Sequence, residues 1–459
     1  MTSTAAGRTL WVAAAGTSLV LAVFSAVVVT IGDSARSLHA GTGGTAWALS
    51  GMSLGLAISL LTAGALADDL GHRCVLMWSA GLLMASSVVG ALATSMPELV
   101  AARVVQGIGG GGVLAASLGS IGVAFPSGPA RARATAVWGA AVGAGVAAGP
   151  LATGALAAAV GWRSGYWLEA VCAAAVMGGA AALGNGCESR RRSLDLQGIA
   201  TLGAGMALLT AALVQARHGW TATTTIELSA AAAVFLGAFA ALEVRHRRPM
   251  LDPDLFASHQ FLASIAGALF TGLAVIGLMS YSPALMQRAL HVSVLGSAAV
   301  LAVWSATSMV VALAARSLPS RLRAQTLLVI GLVLAAAGEA ALTGLGSGAS
   351  WTRLVPGLIV TGVGSGIANA ALGRIAVESV PGNRAGMGSG ANNTARYLGG
   401  AAGVALVVSI VSGAGDGGVI AGWNSAALVS AALAALGAAI VASCRPWIGL
   451  TQTQKGGIG

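Results

Sequence analysis

The chain has 459 residues, of which 56% are hydrophobic and 8% are charged, and its formal net charge is +10. A soluble domain carries roughly 25% charged residues, so too few are present here to cover a surface in contact with water. This composition excludes a soluble globular protein and a disordered chain. The positive charges are spread along the chain between apolar runs, so they do not indicate a nucleic-acid partner either. An integral membrane protein remains.

Long uncharged runs separate the charged residues. Between Arg8 and Asp33 lie 24 residues without a formal charge, and between Arg133 and Arg163 lie 29. About 20 helical residues cross a bilayer. The runs predict fourteen spanning helices at about 10–32, 46–67, 75–95, 97–123, 134–160, 166–184, 196–216, 223–243, 260–286, 293–315, 325–345, 354–378, 387–412 and 422–443.

The positive residues and tryptophans orient these helices. With the N-terminus inside, seventeen of the 24 lysines and arginines fall on the cytoplasmic side, which retains positive charge, and the even helix number places both termini there. Ten of eleven tryptophans, Trp138 among them, fall near predicted helix ends, as expected at a membrane interface. Trp304 alone lies within a span, where it is either a packing residue or a stacking surface for an aromatic substrate.

The connection between predicted helices 2 and 3 carries the first motif. It runs from Gly64 through Asp68 to Gly71, His72 and Arg73. Gly64 allows close helix approach, Gly71 permits an unusual backbone shape, and Asp68 can accept hydrogen bonds from the N-terminal amides of a neighbouring helix. The spacing resembles the signature loop of the major facilitator superfamily, although His72 stands where that family usually has arginine. The resemblance implies a gating role for Gly64, Asp68, Gly71 and Arg73; a solvated turn is the alternative.

Predicted helix 4 contains Arg103, Gln106 and Gly107, which resemble the second motif of the same superfamily. An arginine inside a span is costly unless it faces a polar cavity or a partner, so Arg103 is a functional candidate. It shares one helix face with Gln106, Gly107 and Gly110. The run 109–112 is explained by close helix packing, because no strand precedes it as a nucleotide-binding loop requires.

Predicted helix 5 carries Gly145, Gly149, Pro150 and Gly154. The pattern resembles the export-specific motif of drug:proton antiporters, which importers of the superfamily generally lack. We expect Gly149 and Pro150 to bend the helix and to pack it against the opposite half of the protein. An ordinary kinked packing helix is the alternative.

The centre of the chain indicates a branch of the superfamily. A basic connection at 188–192 precedes a hydrophobic hairpin that turns at 218–220 and ends in a second basic segment at 245–248. This is similar to the two-helix insertion of the fourteen-spanner drug antiporters. The resemblance implies an all-α membrane protein with the major facilitator fold: an N-terminal six-helix half at 1–190, the insertion at 191–255 and a C-terminal six-helix half at 256–459.

Few acidic residues are available to carry a proton. That branch usually has an aspartate within helix 1, but here the stretch from Phe24 to Thr30 has none. The candidates are Asp33, Glu169 and Glu339, with structural pairing as the alternative for the two glutamates. Arginine stays protonated, so Arg103 must couple transport to proton movement through a carboxylate, for which Asp33 is the preferred partner.

A polar stripe on predicted helix 13 indicates the substrate cavity. The stripe comprises Ser389, Asn392, Asn393, Arg396 and Gly400, with Tyr397 adjacent. In the resembled family this helix borders the central cavity, so the stripe is expected either to bind substrate or to pair across the two halves, and a purely structural network is the alternative. The predicted cavity residues are Phe24, Gln106, Trp304, Asn369, Asn392, Asn393 and Arg396.

The resemblance implies a proton-driven exporter that works by alternating access on hydrophobic or amphipathic small molecules such as antibiotics. We expect a monomer in a bacterial plasma membrane, in contact with lipid and without cofactor or metal. A lipid exporter of the same fold is the first alternative. An integral membrane enzyme that modifies lipids is the second, and it would need a clustered nucleophile, an acid–base pair or a metal site, which the sequence does not display.

Overall fold

The computed structural model describes residues 3–183, 196–216, 219–245, 253–315, 322–346, 348–414 and 418–444. Fourteen helical spans cover these residues, and the ninth is built from two α-helices joined by a π-helical segment, Thr271–Ile276. The α-helices are α1 Ser3–Ser37, α2 Thr42–Leu70, α3 His72–Leu92, α4 Met96–Ala124, α5 Pro129–Val160, α6 Arg163–Ala181, α7 Leu196–Gln215, α8 Thr223–Arg245, α9 His259–Phe270, α10 Gly277–Arg288, α11 Val294–Ala314, α12 Ala324–Ala341, α13 Val355–Glu378, α14 Ala385–Ser412 and α15 Gly418–Ser443.

The predicted fourteen-helix architecture is confirmed. Thirteen of the described helical stretches are long and apolar enough to cross a membrane, and α6, with 19 residues, is the span outside that set. Local signals explain the helix ends. Gly128 has a φ of 106° and Pro129 follows it in the first turn of α5, which therefore begins five residues before its predicted start. A capping box of Ser95 and Glu98 begins α4.

The helices form two bundles and a hairpin. One core joins α1 to α6 around residues such as Met52, Leu56 and Leu114, and a second joins α10 to α15 around Leu278, Leu358 and Trp423. The α7–α8 hairpin packs on α2 and α14 through a separate apolar cluster that includes Leu61, Met206 and Met387. The predicted boundary at 190–191 and the basic segments 188–192 and 246–248 lie outside the described residues.

The outer surface is apolar, as a bilayer requires. Large hydrophobic side chains such as Val160, Val171 and Val244 are at least two-thirds exposed. Six tryptophans near helix ends are also exposed: Trp11, Trp47, Trp78, Trp167, Trp220 and Trp351. Trp138 differs from its predicted interfacial position, because α5 begins earlier and carries this residue about two and a half turns into the bundle, where it is 1% exposed.

The two bundles meet along two seams. At the first, α2 and α4 contact α14; at the second, α5 contacts α11 and α13. We call the end of the molecule that carries the α2–α3 connection the turn end, and the end that carries the α1–α2 connection the opposite end.

Candidate functional site

Asp68 joins the two bundles at the turn end. Its side chain is buried, and its two oxygens accept hydrogen bonds from the backbone amides of Gly386 and Met387, each at 2.8 Å. These amides lie in the first turn of α14, where a helix presents unpaired N–H groups and partial positive charge. The contact expected of Asp68 with a helix N-terminus is therefore present, and it crosses from one bundle to the other.

Glycines make this contact possible. A side chain on Gly64 would overlap the carbonyl oxygen of Gly386, and a side chain on Gly390 would meet the carbonyl oxygen of Leu60 at 2.5 Å. Gly71 has a φ of 94° and ends α2 directly before α3 begins. The backbones of α2 and α14 thus touch at the turn end.

The two basic residues after Gly71 have different partners. His72 places its Nε2 atom 3.4 Å from the Oδ1 atom of Asp68. Arg73 instead donates to the carbonyl oxygens of Ala180 and Ala181, at 3.1 and 2.6 Å, at the end of α6. Because a helix C-terminus carries partial negative charge, Arg73 anchors α3 to α6 within one bundle. A gating role for Gly64, Asp68, Gly71 and Arg73 remains a prediction.

Arg103 begins a buried polar network in the N-terminal bundle. Its Nη1 atom donates to the carbonyl oxygen of Val23 and to Gln106 Oε1, both at 3.0 Å. Gln106 Nε2 in turn donates to Ser87 Oγ and to Glu169 Oε2, both at 2.9 Å. Gln106 therefore connects the guanidinium of Arg103 to the carboxylate of Glu169.

The network borders a narrow crevice between α1, α4, α5 and α6. Arg103, Tyr166 and Glu169 line it together with apolar residues and the hydroxyls of Thr30 and Thr153. The Nε and Nη2 atoms of Arg103 are buried and have no hydrogen-bond partner among the described residues. The crevice thus brings a buried carboxyl group and a buried guanidinium close together within the helical bundle.

Asp33 is not the partner that the sequence led us to expect for Arg103. It lies near the end of α1 with about half of its side chain exposed, and it forms an ion pair with Arg36 one turn later. Asp33 lies at an exposed helix end beside Arg36, whereas Arg103 is buried and donates to the carbonyl oxygen of Val23, ten residues earlier in α1. Among the described residues, Glu169 is the carboxylate that the Arg103 network reaches.

Glu339 is fully buried on α12, and neither carboxylate oxygen has a hydrogen-bond partner among the described residues. The helix packs against α13 and α15. Thr361 of α13, whose hydroxyl is also without a partner, lies against the neighbouring Gly338. Glu339 is therefore separate from the Arg103 network, and its role in proton coupling remains a prediction.

The export-motif glycines of α5 face α1, which corrects the expected contact with the opposite bundle. Side chains on Gly145 and Gly149 would overlap the carbonyl oxygens of Ser18 and Ala22 in α1. Gly139 and Gly143 lie on another face of α5 and make the close contacts with α13 and α11. At 100° per residue, positions 145 and 149 share one face, whereas 143 and 149 are about 120° apart. Gly154 touches both Val29 of α1 and Leu295 of α11.

Pro150 leaves one carbonyl of α5 without its helical donor. Proline has no N–H group, so the carbonyl oxygen of Val146 loses its usual partner four residues later. The hydroxyl of Ser25 in α1 lies 3.4 Å from that oxygen and can donate to it, with the carbonyls of Leu21 and Ala22 as alternatives. The motif therefore ties α5 to α1 by close backbone packing and by one side-chain donor.

Replacing Gly149 by alanine is expected to lower the thermal midpoint of the purified protein. The added methyl group would overlap the backbone of Ala22, and overpacking of this kind costs about 1–3 kcal/mol. Gly178→Ala in α6 is the matched control, because no atom lies within 4 Å of the position that its methyl group would take. A Gly149→Ala midpoint equal to that of the wild type would contradict close packing of α5 on α1.

A second polar cluster joins the bundles near the middle of the spans. Arg396 of α14 donates to Asn369 Oδ1 at 3.1 Å and to Asn393 Oδ1 at 2.8 Å. Its guanidinium carbon lies 5.7 Å from the ring centroid of Trp138 and 5.6 Å from that of Tyr397. Trp138 belongs to α5, so the cation–π contact crosses between the bundles.

Phe24 extends this cluster to α1. Its ring meets that of Tyr397 edge to face, with the centroids 5.8 Å apart. We call Phe24, Trp138, Asn369, Asn393, Arg396 and Tyr397 the midplane cluster. Four of the seven predicted cavity residues belong to it.

The other three predicted cavity residues lie elsewhere. Asn392 donates to the carbonyl oxygen and the hydroxyl of Ser264 in α9, because a one-residue step along α14 turns it about 100° away from Asn393. Trp304 donates to Ser365 Oγ at 3.0 Å and so links α11 to α13. Gln106 belongs to the Arg103 network. None of the three touches Arg396 in the hydrogen bonds described above.

Two residues of these sites are not among those predicted from the sequence. Trp138 was assigned to the interface because its helix was predicted to begin at 134. Tyr166, a wall of the crevice, stands three residues before Glu169 and so shares its helix face, a spacing that could have identified it.

The chain matches the sequence model of the Major Facilitator Superfamily over residues 10–404. It is 30% identical over 419 residues to the multidrug resistance protein Stp of Mycobacterium tuberculosis, covering 90% of this chain and 76% of the relative. It is also 30% identical over 418 residues to the tetracenomycin C resistance and export protein of Streptomyces glaucescens, covering 88% and 76%. The crystal structure of the human organic anion transporter MFSD10 superposes with a TM-score of 0.69 at 18% identity, over 95% of this chain and 99% of that one, a likeness in fold.

Proposed function

Because the chain belongs to the Major Facilitator Superfamily, we propose that it is a proton-driven exporter of hydrophobic or amphipathic small molecules, antibiotics among them. It is a multi-pass membrane protein of a transporter family, and relatives such as those of Mycobacterium tuberculosis and Streptomyces glaucescens are named for drug resistance and export. The fourteen-spanner drug antiporter branch and a monomeric state are part of the proposal. The fourteen spans and the α7–α8 hairpin support the branch.

The observation that carries proton coupling is the buried Arg103–Gln106–Glu169 network. A carboxylate held inside the membrane by a hydrogen bond to Gln106 is a group that can bind and release a proton as its surroundings change. Arg103 keeps its charge throughout and can attract the carboxylate in one state of the transporter more than in another. Glu169 is therefore the preferred proton carrier, with Asp33 and Glu339 as further candidates.

The turn end is the cytoplasmic end in this proposal. The sequence places most positive residues there, with both termini inside the cell. The contact of Asp68 with α14 then closes the cytoplasmic side in the described state. Substrate enters from the cytoplasm after this contact opens, and the two bundles rock about the middle of the spans.

The position of the hairpin disfavours the lipid-export alternative. A lipid would enter sideways between the bundles, and α7 covers one of the two seams, that between α2 and α14, where Leu202 and Met206 pack with Leu61 and Ala391. The lipid-modifying enzyme is disfavoured by membership of a transporter family. In the described part of the chain, no group of three or more histidine, cysteine or acidic residues could hold a metal ion.

A substrate panel in inverted membrane vesicles tests the proposal. Respiration acidifies the vesicle interior, and a proton-coupled exporter moves an added compound inward while it carries protons out. We expect at least one hydrophobic antibiotic to dissipate the pH gradient, and we expect its accumulation to stop with a protonophore. Vesicles without the protein are the control. Accumulation that persists without a proton gradient, or a panel in which no compound moves, would contradict the proposal.

A further inference from the structure

The midplane cluster contains hydrogen-bond donors that have no acceptor. The Nε atom of Arg396, the Nε1 atom of Trp138 and the hydroxyl of Tyr397 are all buried, and none makes a hydrogen bond of normal geometry among the described residues, although the Arg396 guanidinium and the Tyr397 hydroxyl lie next to each other. The first two can only donate, and the third can donate or accept. Buried polar groups are almost always paired, so three unpaired donors in one cluster require an explanation.

The charge of Arg396 is also uncompensated. The guanidinium is 2% exposed, and its described hydrogen-bond acceptors are the neutral amides of Asn369 and Asn393. Among the described residues, no ion pair joins Arg396 to a carboxylate within 4 Å. A buried cation without an anion is strongly unfavourable, so binding of an anion next to it would stabilise the protein.

The cluster stands where a transported molecule must pass. Arg396 lies twelve residues into the 28-residue helix α14, near its middle, and Trp138 and Phe24 approach it from the other bundle. In a fold whose two bundles alternate, the position between them at the middle of the spans is where substrate binds. Phe24, Trp138 and Tyr397 supply aromatic faces and edges around the guanidinium.

We infer that the midplane cluster is a binding site for aromatic substrates that carry an anionic group, such as a carboxylate or an ionised phenol. The anion takes hydrogen bonds from Arg396, Trp138 and Tyr397, and the aromatic body packs among the three rings. This inference rests on the proposed export function and specifies its substrate class. Cationic compounds of the same size are disfavoured, because they would meet the unpaired positive charge of Arg396.

Two dyes of one scaffold test the charge preference. Fluorescein and rhodamine 123 share a xanthene core, but at neutral pH fluorescein is anionic and rhodamine 123 is cationic. Binding to the purified protein in nanodiscs is measured by fluorescence anisotropy. We expect fluorescein to bind at least about tenfold more tightly, since hydrogen bonds to a charged group are strong enough for such a ratio.

Substitutions at Arg396 separate recognition from packing. Arg396→Gln is expected to weaken fluorescein binding about tenfold or more and to leave rhodamine 123 binding equal or stronger. Arg396→Lys keeps the charge and is expected to retain part of the preference for fluorescein, which also covers the case in which the glutamine variant fails to fold. Arg374→Gln is the matched control, because Arg374 pairs with Glu378 at the turn end of α13, away from the cluster.

The outcomes distinguish this inference from the proposed function. Equal weakening of both dyes by Arg396→Gln, or wild-type preference for rhodamine 123, would overturn the inference and leave Arg396 as a structural contact. The same holds if the vesicle assay shows export of neutral or cationic compounds while fluorescein neither binds nor moves. If no compound moves in vesicles, the export proposal fails, whereas Arg396-dependent binding of fluorescein would still support an anion site.

Discussion

Glu169→Gln is expected to abolish uphill export while leaving the folded protein and its substrate binding intact. The Glu169 carboxylate accepts a hydrogen bond from Gln106 Nε2 at 2.9 Å, and the amide oxygen of a glutamine can accept the same bond. The glutamine side chain is close in size to that of glutamate, and its amide does not gain or lose charge at any relevant pH. The variant therefore keeps the network and loses the group that would load and unload the proton.

Two assays on reconstituted vesicles separate coupling from binding. In the first, a pH gradient drives accumulation of a compound identified by the substrate panel, and we expect the Glu169→Gln rate to fall to that of protein-free vesicles. In the second, labelled and unlabelled substrate exchange without a gradient, and we expect the rate to stay within about threefold of wild type, a difference below 1 kcal/mol.

Glu339→Gln is the matched control, because it removes a buried acid of the same kind from a site separate from the Arg103 network. If Glu339→Gln stops uphill export and Glu169→Gln does not, the proton carrier lies on α12. If both variants accumulate substrate as the wild type does, neither glutamate carries the proton, and Asp33 becomes the remaining candidate.

Asp68→Asn is expected to open the turn end in a large fraction of molecules and to reduce export strongly. The two oxygens of Asp68 accept from the amides of Gly386 and Met387. An asparagine supplies one oxygen, and its amino group would face a second donor. The substitution also removes negative charge from the N-terminus of α14. Lost hydrogen bonds to a charged group cost about 1.5–3 kcal/mol, which changes the ratio of closed to open molecules by about tenfold or more.

Spin labels measure this change directly. Ser127 and Asn383 are exposed on the α4–α5 and α13–α14 connections, on either side of the seam. Cysteines placed there, in a background that lacks the native cysteines, carry the labels. We expect the distance distribution to shift to longer values in Asp68→Asn. Asp69→Asn is the control, since it removes the adjacent acidic charge and retains the contact with α14.

The double variant Asp68→Asn, Asp69→Asn shows whether Asp69 replaces its neighbour. If the distance distribution of Asp68→Asn matches the wild type and only the double variant opens, the two aspartates share the contact. Unchanged distances together with full transport in the double variant would leave the turn as a connection without a gating role.

The helices were predictable because most of them coincide with a long apolar run that carries few or no charges. Some contacts of the site residues were predictable from the sequence and others were not. Asp68 has the predicted kind of contact because a carboxylate pairs readily with the unpaired amides of a helix N-terminus, but the sequence did not show that this helix is α14 of the other bundle. Gly149 does not meet the opposite bundle, because the direction of a helix face depends on how α5 is rotated in the bundle, which a pattern of glycines does not specify.

Partners at a distance were the least predictable. Asp33 and Glu169 are both acids near the ends of predicted spans, and the sequence offers no measure of which approaches Arg103. The structure joins Glu169 to it through Gln106, whereas Asp33 pairs with Arg36 within its own helix. Asn392 and Asn393 are neighbours in the chain, yet Asn392 donates to Ser264 of α9 and Asn393 accepts from Arg396 of α14. One residue turns a helix by about 100°, and the sequence does not specify the rotation of α14 that closely.

The π-helical segment Thr271–Ile276 determines which parts of the molecule move together. It lies against α14 through close backbone contacts: a side chain on Gly272 would overlap the carbonyl oxygen of Arg396, and one on Gly403 would overlap that of Leu273. Helices packed this closely cannot slide past one another without a large cost in free energy, so we expect the ninth span and α14 to move as one rigid unit. If Asp68 gates the turn end, we expect the ninth span and α14 to move together when the contact opens. A reporter on the lipid-facing side of the ninth span would therefore follow each cycle from a distance, without disturbing either seam.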